Sequence, residues 1–184
     1  MGWVFAPGCE HGLQRFGPMV TPSLGAGMPD LGTRTLKGRD SVFLGSRTVC
    51  QGDYRPDNRF YGAPGSEREL VVCDWQASTY SPGISDLAYV ITGSLLVDDR
   101  RKHEHELLAE YHQLLNQGGV TNYSLEQLET DYRGYFAGVI ASGVILGATL
   151  PDGNERGKAM IEATFTRFIA AIDDLDSLAL LPAL

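Results

Sequence analysis

The chain has 184 residues, 43% of them hydrophobic, a net charge of −8 and a pI of about 4.9. That is one domain's worth of core. The acidity excludes a nucleic-acid backbone or an anionic membrane as the main partner, because both require a basic footprint.

Three cysteines, Cys9, Cys50 and Cys73, lack any C-x-x-C spacing. They give no disulfide framework and point to a reducing, cytoplasmic setting. The opening "MGWVFAPGCEHG" has neither a basic n-region nor a long apolar h-region, so no secretory signal is expected. Residues 1–50 hold nine glycines and four prolines, and the segment is net basic while the remainder is acidic. Such glycine and proline content reads as poor order, and 1–46 shows no clear helical or strand period. The expectation is an irregular segment over 1–46 and one folded domain over 47–184.

From Thr48 the pattern changes. "RTVC" ends a short strand, and "QGDYRPDN" follows as a loop. "RFY", "GAPGSERE" and "LVVCDW" read as a β-hairpin turning at Gly62, Pro64 and Gly65. "STYSPGIS" reads as a loop, with Ser85 capping a helix over "DLAYVITGSLL". Asp98 is expected to cap the next helix, which stops at Gly118-Gly119. Leu107, Leu108, Tyr111, Leu114 and Leu115 form its apolar stripe.

Ser124 and Gln127 form a capping-box pattern for a third helix, with Leu125, Leu128, Tyr132, Phe136, Val139 and Ile140 facing inward. Its uncharged stretch 134–150 is at the short limit for a membrane span of roughly 20 residues and reads as a buried core helix. "PDGNERG" is a turn, and a last helix carries Met160, Ile161, Phe165, Phe168, Ile169, Ile172 and Leu175. The fold class is α+β, mostly helical: a small β-hairpin followed by a helical bundle.

The chemistry is concentrated at the strand ends. Asp53 and Asn58 lie in the loop after the first strand, and Asp74 ends a later one. A hairpin that sets strand ends side by side would bring two carboxylates and an amide oxygen to one point, a hard-oxygen set suited to Mg²⁺. Singly, Asp53 reads as a turn cap, Asn58 as a turn residue and Asp74 as a strand-end residue; only the joint pattern carries a function. His103, His105 and His112 share one helix, but "HEHE" is not H-E-x-x-H, and a solvated face is the expectation. Trp75 reads as a core anchor and Cys73 as a small buried hydrophobe.

"QGDYRPDN", "VVCDWQ" and "PGISDLAYVITGSL" resemble, in order and spacing, three motifs of the aminoglycoside phosphotransferase and choline-kinase-like (CHK kinase-like) families. The resemblance covers about 48–178. It implies a protein-kinase-like C-terminal lobe and ATP- and Mg²⁺-dependent phosphoryl transfer to the hydroxyl of a small molecule. It also implies roles. Asp53 would be the catalytic residue that accepts or orients the hydroxyl proton, and Asn58 and Asp74 would hold Mg²⁺ bridging the nucleotide phosphates. Asp86 would buttress the loop through its backbone amides, and Gln51, Gly52, Arg55 and Asp57 would shape it.

Two departures stand against the pattern. The family's histidine before Gly-Asp is Gln51, which is expected to weaken the loop geometry without removing the chemistry. The family's N-terminal lobe, with its phosphate-binding lysine, has no counterpart: Lys37 alone precedes the loop, and "LGAGMPDLG" lacks the G-x-G-x-x-G spacing. The alternative is therefore a truncated, non-catalytic kinase-like remnant, a binding module with an apolar lobe interface open to self-association.

Overall fold

The computed structural model describes residues 20–42, 46–149 and 155–183. In chain order these form α1 (Pro22–Val42), β1 (Arg47–Cys50), β2 (Arg59–Tyr61), β3 (Leu70–Val72), β4 (Thr79–Pro82), α2 (Ile84–Ser94), α3 (Val97–Gln117), α4 (Leu125–Thr149) and α5 (Glu155–Asp174). Single 3-10 turns occur at Pro56–Asn58, Trp75–Ala77 and Ser177–Leu180. The described chain is mostly helical with small antiparallel sheets, an α+β arrangement. It divides into two units: the described parts of 1–44 and 122–184 form one, and 45–121 the other.

The first unit corrects the reading of 1–46 as irregular, because 22–42 is helical. The N–H of Gly25 donates to the Thr21 carbonyl at 2.9 Å, closing the first turn behind Pro22, and proline is well tolerated at a helix start. Leu24, Leu31, Thr35 and Gly38 are buried. Their spacing places them on one helical face, which packs on α4. Gly38 permits a close approach, since a Cβ there would meet Pro182 Cδ at 2.7 Å. Arg34 donates to the carbonyls of Leu178, Leu181 and Pro182 at 2.9–3.1 Å, tying α1 to the C-terminal turn. Tertiary packing of this kind outweighs poor intrinsic propensity. Residues 1–19, 43–45, 150–154 and 184 lie outside the described residues, among them the first four of the expected "PDGNERG" turn; its last three, from Glu155, already belong to α5.

α4 begins as the sequence predicts: the Gln127 N–H donates to Ser124 Oγ at 3.1 Å. Leu128, Tyr132, Phe136 and Ile140 are buried, and Leu125 and Val139 half-buried. Phe136 sits edge-on to Tyr132, Tyr135 and Phe168, with ring centroids 5.2–6.0 Å apart, the arrangement aromatic quadrupoles favour. On α5, Ile169 and Ile172 are buried, whereas Met160 is exposed and leaves the expected core. Among the described residues no helix is long and apolar enough to cross a membrane.

The second unit contains the strands, and their nesting differs from a single hairpin. β2 pairs with β3 (Arg59↔Val72 to Tyr61↔Leu70), and β1 pairs with β4 (Arg47↔Pro82 to Cys50↔Thr79), both antiparallel. The segment 78–85, expected as a loop, thus supplies strand β4 up to Pro82. Proline is tolerated there because it sits at the end of an edge strand. The inner and outer ladders are separated by two loops, 51–58 and 73–78, which this topology sets opposite one another.

The caps also differ. The residue before α2 is Gly83 and the residue before α3 is Leu96, neither with a side-chain cap bond. Ser85 and Asp98 therefore lie inside their first turns instead of capping them. α3 ends at Gly118, followed by Gly119 at φ +94°, as expected. Of its stripe, Leu108 is buried and Leu114 exposed.

Candidate active site

The site grows out of the two facing loops. Gln51, 1% exposed, is the knot between them. Its Oε1 accepts from the Asp53 N–H at 2.8 Å. Its Nε2 donates to the carbonyls of Cys73 at 3.1 Å and Asp74 at 2.8 Å. One buried amide satisfies a donor on one loop and two acceptors on the other, which is what a buried polar side chain must do to offset its desolvation. All of these bonds are made by the glutamine's own head group. The Cys73 N–H donates to the Asn58 carbonyl at 2.9 Å, closing the junction from the far side.

Gly52 follows at φ +87°, and a Cβ placed on it would lie 2.2 Å from the Ala77 carbonyl oxygen. Both the left-handed backbone and the close approach require glycine. Asp86, in the first turn of α2, reaches the loop with both oxygens. Oδ2 accepts from the Gln51 N–H at 2.6 Å and Oδ1 from the Gly52 N–H at 3.0 Å. Charge-assisted bonds of this type are roughly twice as strong as neutral ones.

Asp53 is then presented from a fixed main chain. Asn58, 5% exposed, donates its Nδ2 to the Asp53 carbonyl at 2.9 Å and to Asp53 Oδ2 at 3.0 Å. Arg55 Nε approaches the same Oδ2 at 3.2 Å as an ion pair. The Tyr89 hydroxyl donates to Asp53 Oδ1 at 2.9 Å. Burial pushes the Tyr89 phenol up to about 12, with the Asp53 charge adding to the rise. It therefore stays protonated and remains a donor at neutral pH. Cys50, just before the loop, is a buried thiol against the Ser81 and Pro82 carbonyls, and burial raises its pKa.

The side chains of Asp53 and Asn58 are thus in direct contact. Asp74 is joined to them through its carbonyl and Gln51. It is exposed and has left-handed backbone (φ 56°, ψ 61°), a conformation aspartate tolerates better than most residues. Asp57 is exposed in the single turn Pro56–Asn58. Trp75 is half exposed and donates Nε1–H to the Val72 carbonyl, so the core-anchor reading is corrected. Cys73 is half-buried, one residue beyond β3.

Tyr89 is the residue the sequence reading missed. The available signal was its position three residues after Asp86, on the same face of α2. The His103 Nδ1 lies 3.6 Å from Glu106 Oε2. Among the described residues no group of three or more His, Cys, Asp or Glu side chains forms a metal cluster.

The model of the family described as "Uncharacterized oxidoreductase dhs-27" matches residues 41–177. The chain belongs to that family. The span shared with the dhs-27 family includes both loops, the four strands and α2, so every residue of the site lies within it, whereas nearly all of α1 precedes it. No curated protein and no solved structure matches the chain.

Proposed function

We propose that this chain carries the catalytic loop of a phosphotransferase resembling the C-terminal lobe of the choline-kinase-like families. The intact family would transfer a phosphoryl group from ATP to a small-molecule hydroxyl. The observation that carries the reading is the hold on Asp53: its main chain is fixed through Gln51 and Asp86, and its carboxylate is aimed by Asn58 and Tyr89. A carboxylate held this way suits the task of accepting or orienting a hydroxyl proton, in a reaction whose catalysis is mostly positioning and electrostatics.

The donor set fits Mg²⁺. With Nδ2 of Asn58 turned to Asp53, its Oδ1 is the amide atom left for a hard cation, and Asp74 supplies an exposed carboxylate. When bound, Mg²⁺ would neutralise charge on the nucleotide phosphates. The protein's own part is to hold Asp53, Asn58 and Asp74 on two mutually bonded loops. The cytoplasmic setting rests on the sparse cysteines.

The family's description speaks of an oxidoreductase. A dinucleotide crevice of the doubly wound type forms at the carboxyl ends of parallel strands. The described ladders here are antiparallel, and the site loop reads G-D-x-x-x-x-N. Both observations favour phosphoryl transfer.

A second reading, a non-catalytic binding module, is favoured by the degree to which Asp53 is engaged by its own chain: Tyr89 on one oxygen, Asn58 and Arg55 on the other. In that reading the exposed Phe60, Tyr61, Leu70 and Val71 of the inner ladder form an association surface.

A thermal-melt titration with Mg²⁺–ATP on the parent and on Asp74→Ala separates the two. Phosphotransferase ancestry with a working nucleotide site predicts an upward shift in the parent that is lost in the variant. Equal curves with and without nucleotide in both proteins would leave only the binding module.

A further inference from the structure

Resting on the phosphotransferase reading, we infer that Tyr89 is a positioning residue for Asp53: its hydroxyl fixes the rotation of the carboxylate so that one face is kept for the acceptor hydroxyl. The contact is a side-chain bond of 2.9 Å between Tyr89 on α2 and Asp53 Oδ1 on the loop, 36 residues apart in sequence. It is carried by the same helical face as Asp86, which holds the loop's main chain at Gln51 and Gly52, the two residues before Asp53. One turn of α2 therefore sets both the position of the loop backbone and the orientation of its carboxylate.

A carboxylate offers about four lone-pair sites. Tyr89 takes one on Oδ1, and Asn58 takes one on Oδ2, where Arg55 also approaches. Without the phenol, the carboxylate would be held from the Oδ2 side only and could rotate about its Cβ–Cγ bond. The terminal torsion of aspartate is broad and imposes little order of its own. Because the phenol stays protonated at neutral pH, it cannot act as the base. It acts through Asp53.

The test is a double-mutant cycle with Tyr89→Phe, Asp53→Ala and the pair, each in the full chain. In the absence of metal and nucleotide, Tyr89→Phe should lower the melting temperature of the parent by about 4 °C and leave that of Asp53→Ala within about 1 °C. Slow consumption of Mg²⁺–ATP is the second readout. Tyr89→Phe should reduce kcat roughly tenfold with KM for ATP unchanged, as expected for a misplaced reacting group, and should cause no further loss in the Asp53→Ala background.

Equal melting losses in both backgrounds would overturn the inference, as would an unchanged kcat or an effect confined to KM. If the parent neither binds nor consumes Mg²⁺–ATP, the phosphotransferase reading fails and the inference fails with it. If the parent turns over and Tyr89→Phe matches it, only the inference fails.

Discussion

Asp86→Ala is the substitution that tests the loop's architecture most severely. It removes both acceptors of a two-pronged contact, at 2.6 Å to the Gln51 N–H and 3.0 Å to the Gly52 N–H, and leaves those amides facing a methyl group. A hydrogen bond to a charged partner contributes about 1.5–3 kcal/mol. The bond to Gln51 is partly buried and belongs near the middle of that range, whereas the bond to Gly52 is exposed and water can replace much of it. The expected loss is about 3 kcal/mol in all. For a chain of this size that corresponds to a fall of roughly 6–12 °C in melting temperature, measured by circular dichroism.

Asp86→Asn keeps one acceptor oxygen and should lose about half as much. A melting temperature for Asp86→Ala within a degree of the parent would contradict the two-pronged hold on the loop. It would mean that the loop holds its shape through Gln51 and Asn58 without the helix.

Gly52→Ala should cost more than about 3 kcal/mol in urea unfolding, because it combines a disfavoured backbone with an overlap on the Ala77 carbonyl; a loss below 1 kcal/mol would contradict the close approach. Gln51→Leu has similar volume but strands the Asp53 N–H and removes donors from the Cys73 and Asp74 carbonyls. Its expected cost is about 2–4 kcal/mol, with faster amide exchange at Asp53, and unchanged exchange there would count against it. The Tyr89 phenol is raised to about 12 by burial and by Asp53, above its ordinary value near 10. The folded state therefore keeps this proton longer than the unfolded state. The contribution is whole below pH 10 and is lost as pH climbs toward 12. Between pH 9 and 11.5 the parent should lose about 1–2 kcal/mol more stability than Tyr89→Phe; parallel losses would contradict the assignment.

Much of the site was legible in the sequence because its residues are close in the chain or carry sharp steric requirements. The G-D-x-x-x-x-N spacing fixed which side chains to watch, and Gly52 and Gly119 stand where the backbone turns left-handed. The Ser124–Gln127 pair marked the start of α4, a local rule answered by a local bond.

What escaped depends on distant partners. β4 is short and polar and forms because β1, some thirty residues earlier, pairs with it. α1 carries glycines and prolines that weaken any helical reading, yet Leu24, Leu31, Thr35 and Gly38 recur on one face, and packing on α4 supplies what propensity lacks. Ser85 and Asp98 are the residue types that favour caps, yet their helices begin one residue earlier, after Gly83 and Leu96. Tyr89 meets Asp53 only because the fold lays α2 beside a loop 36 residues away in the chain.

The proposed site puts one divalent ion between Asn58 and Asp74, beside Asp53. Paramagnetic broadening by Mn²⁺, used in place of Mg²⁺ at substoichiometric levels, reads this directly from ¹H–¹⁵N NMR spectra. The Asn58 side-chain amide and the backbone amides of Asp53 and Asp74 should broaden first, and excess Mg²⁺ should restore them. Broadening centred on the exposed acidic residues of α3, with the two loops untouched, would contradict the proposed site.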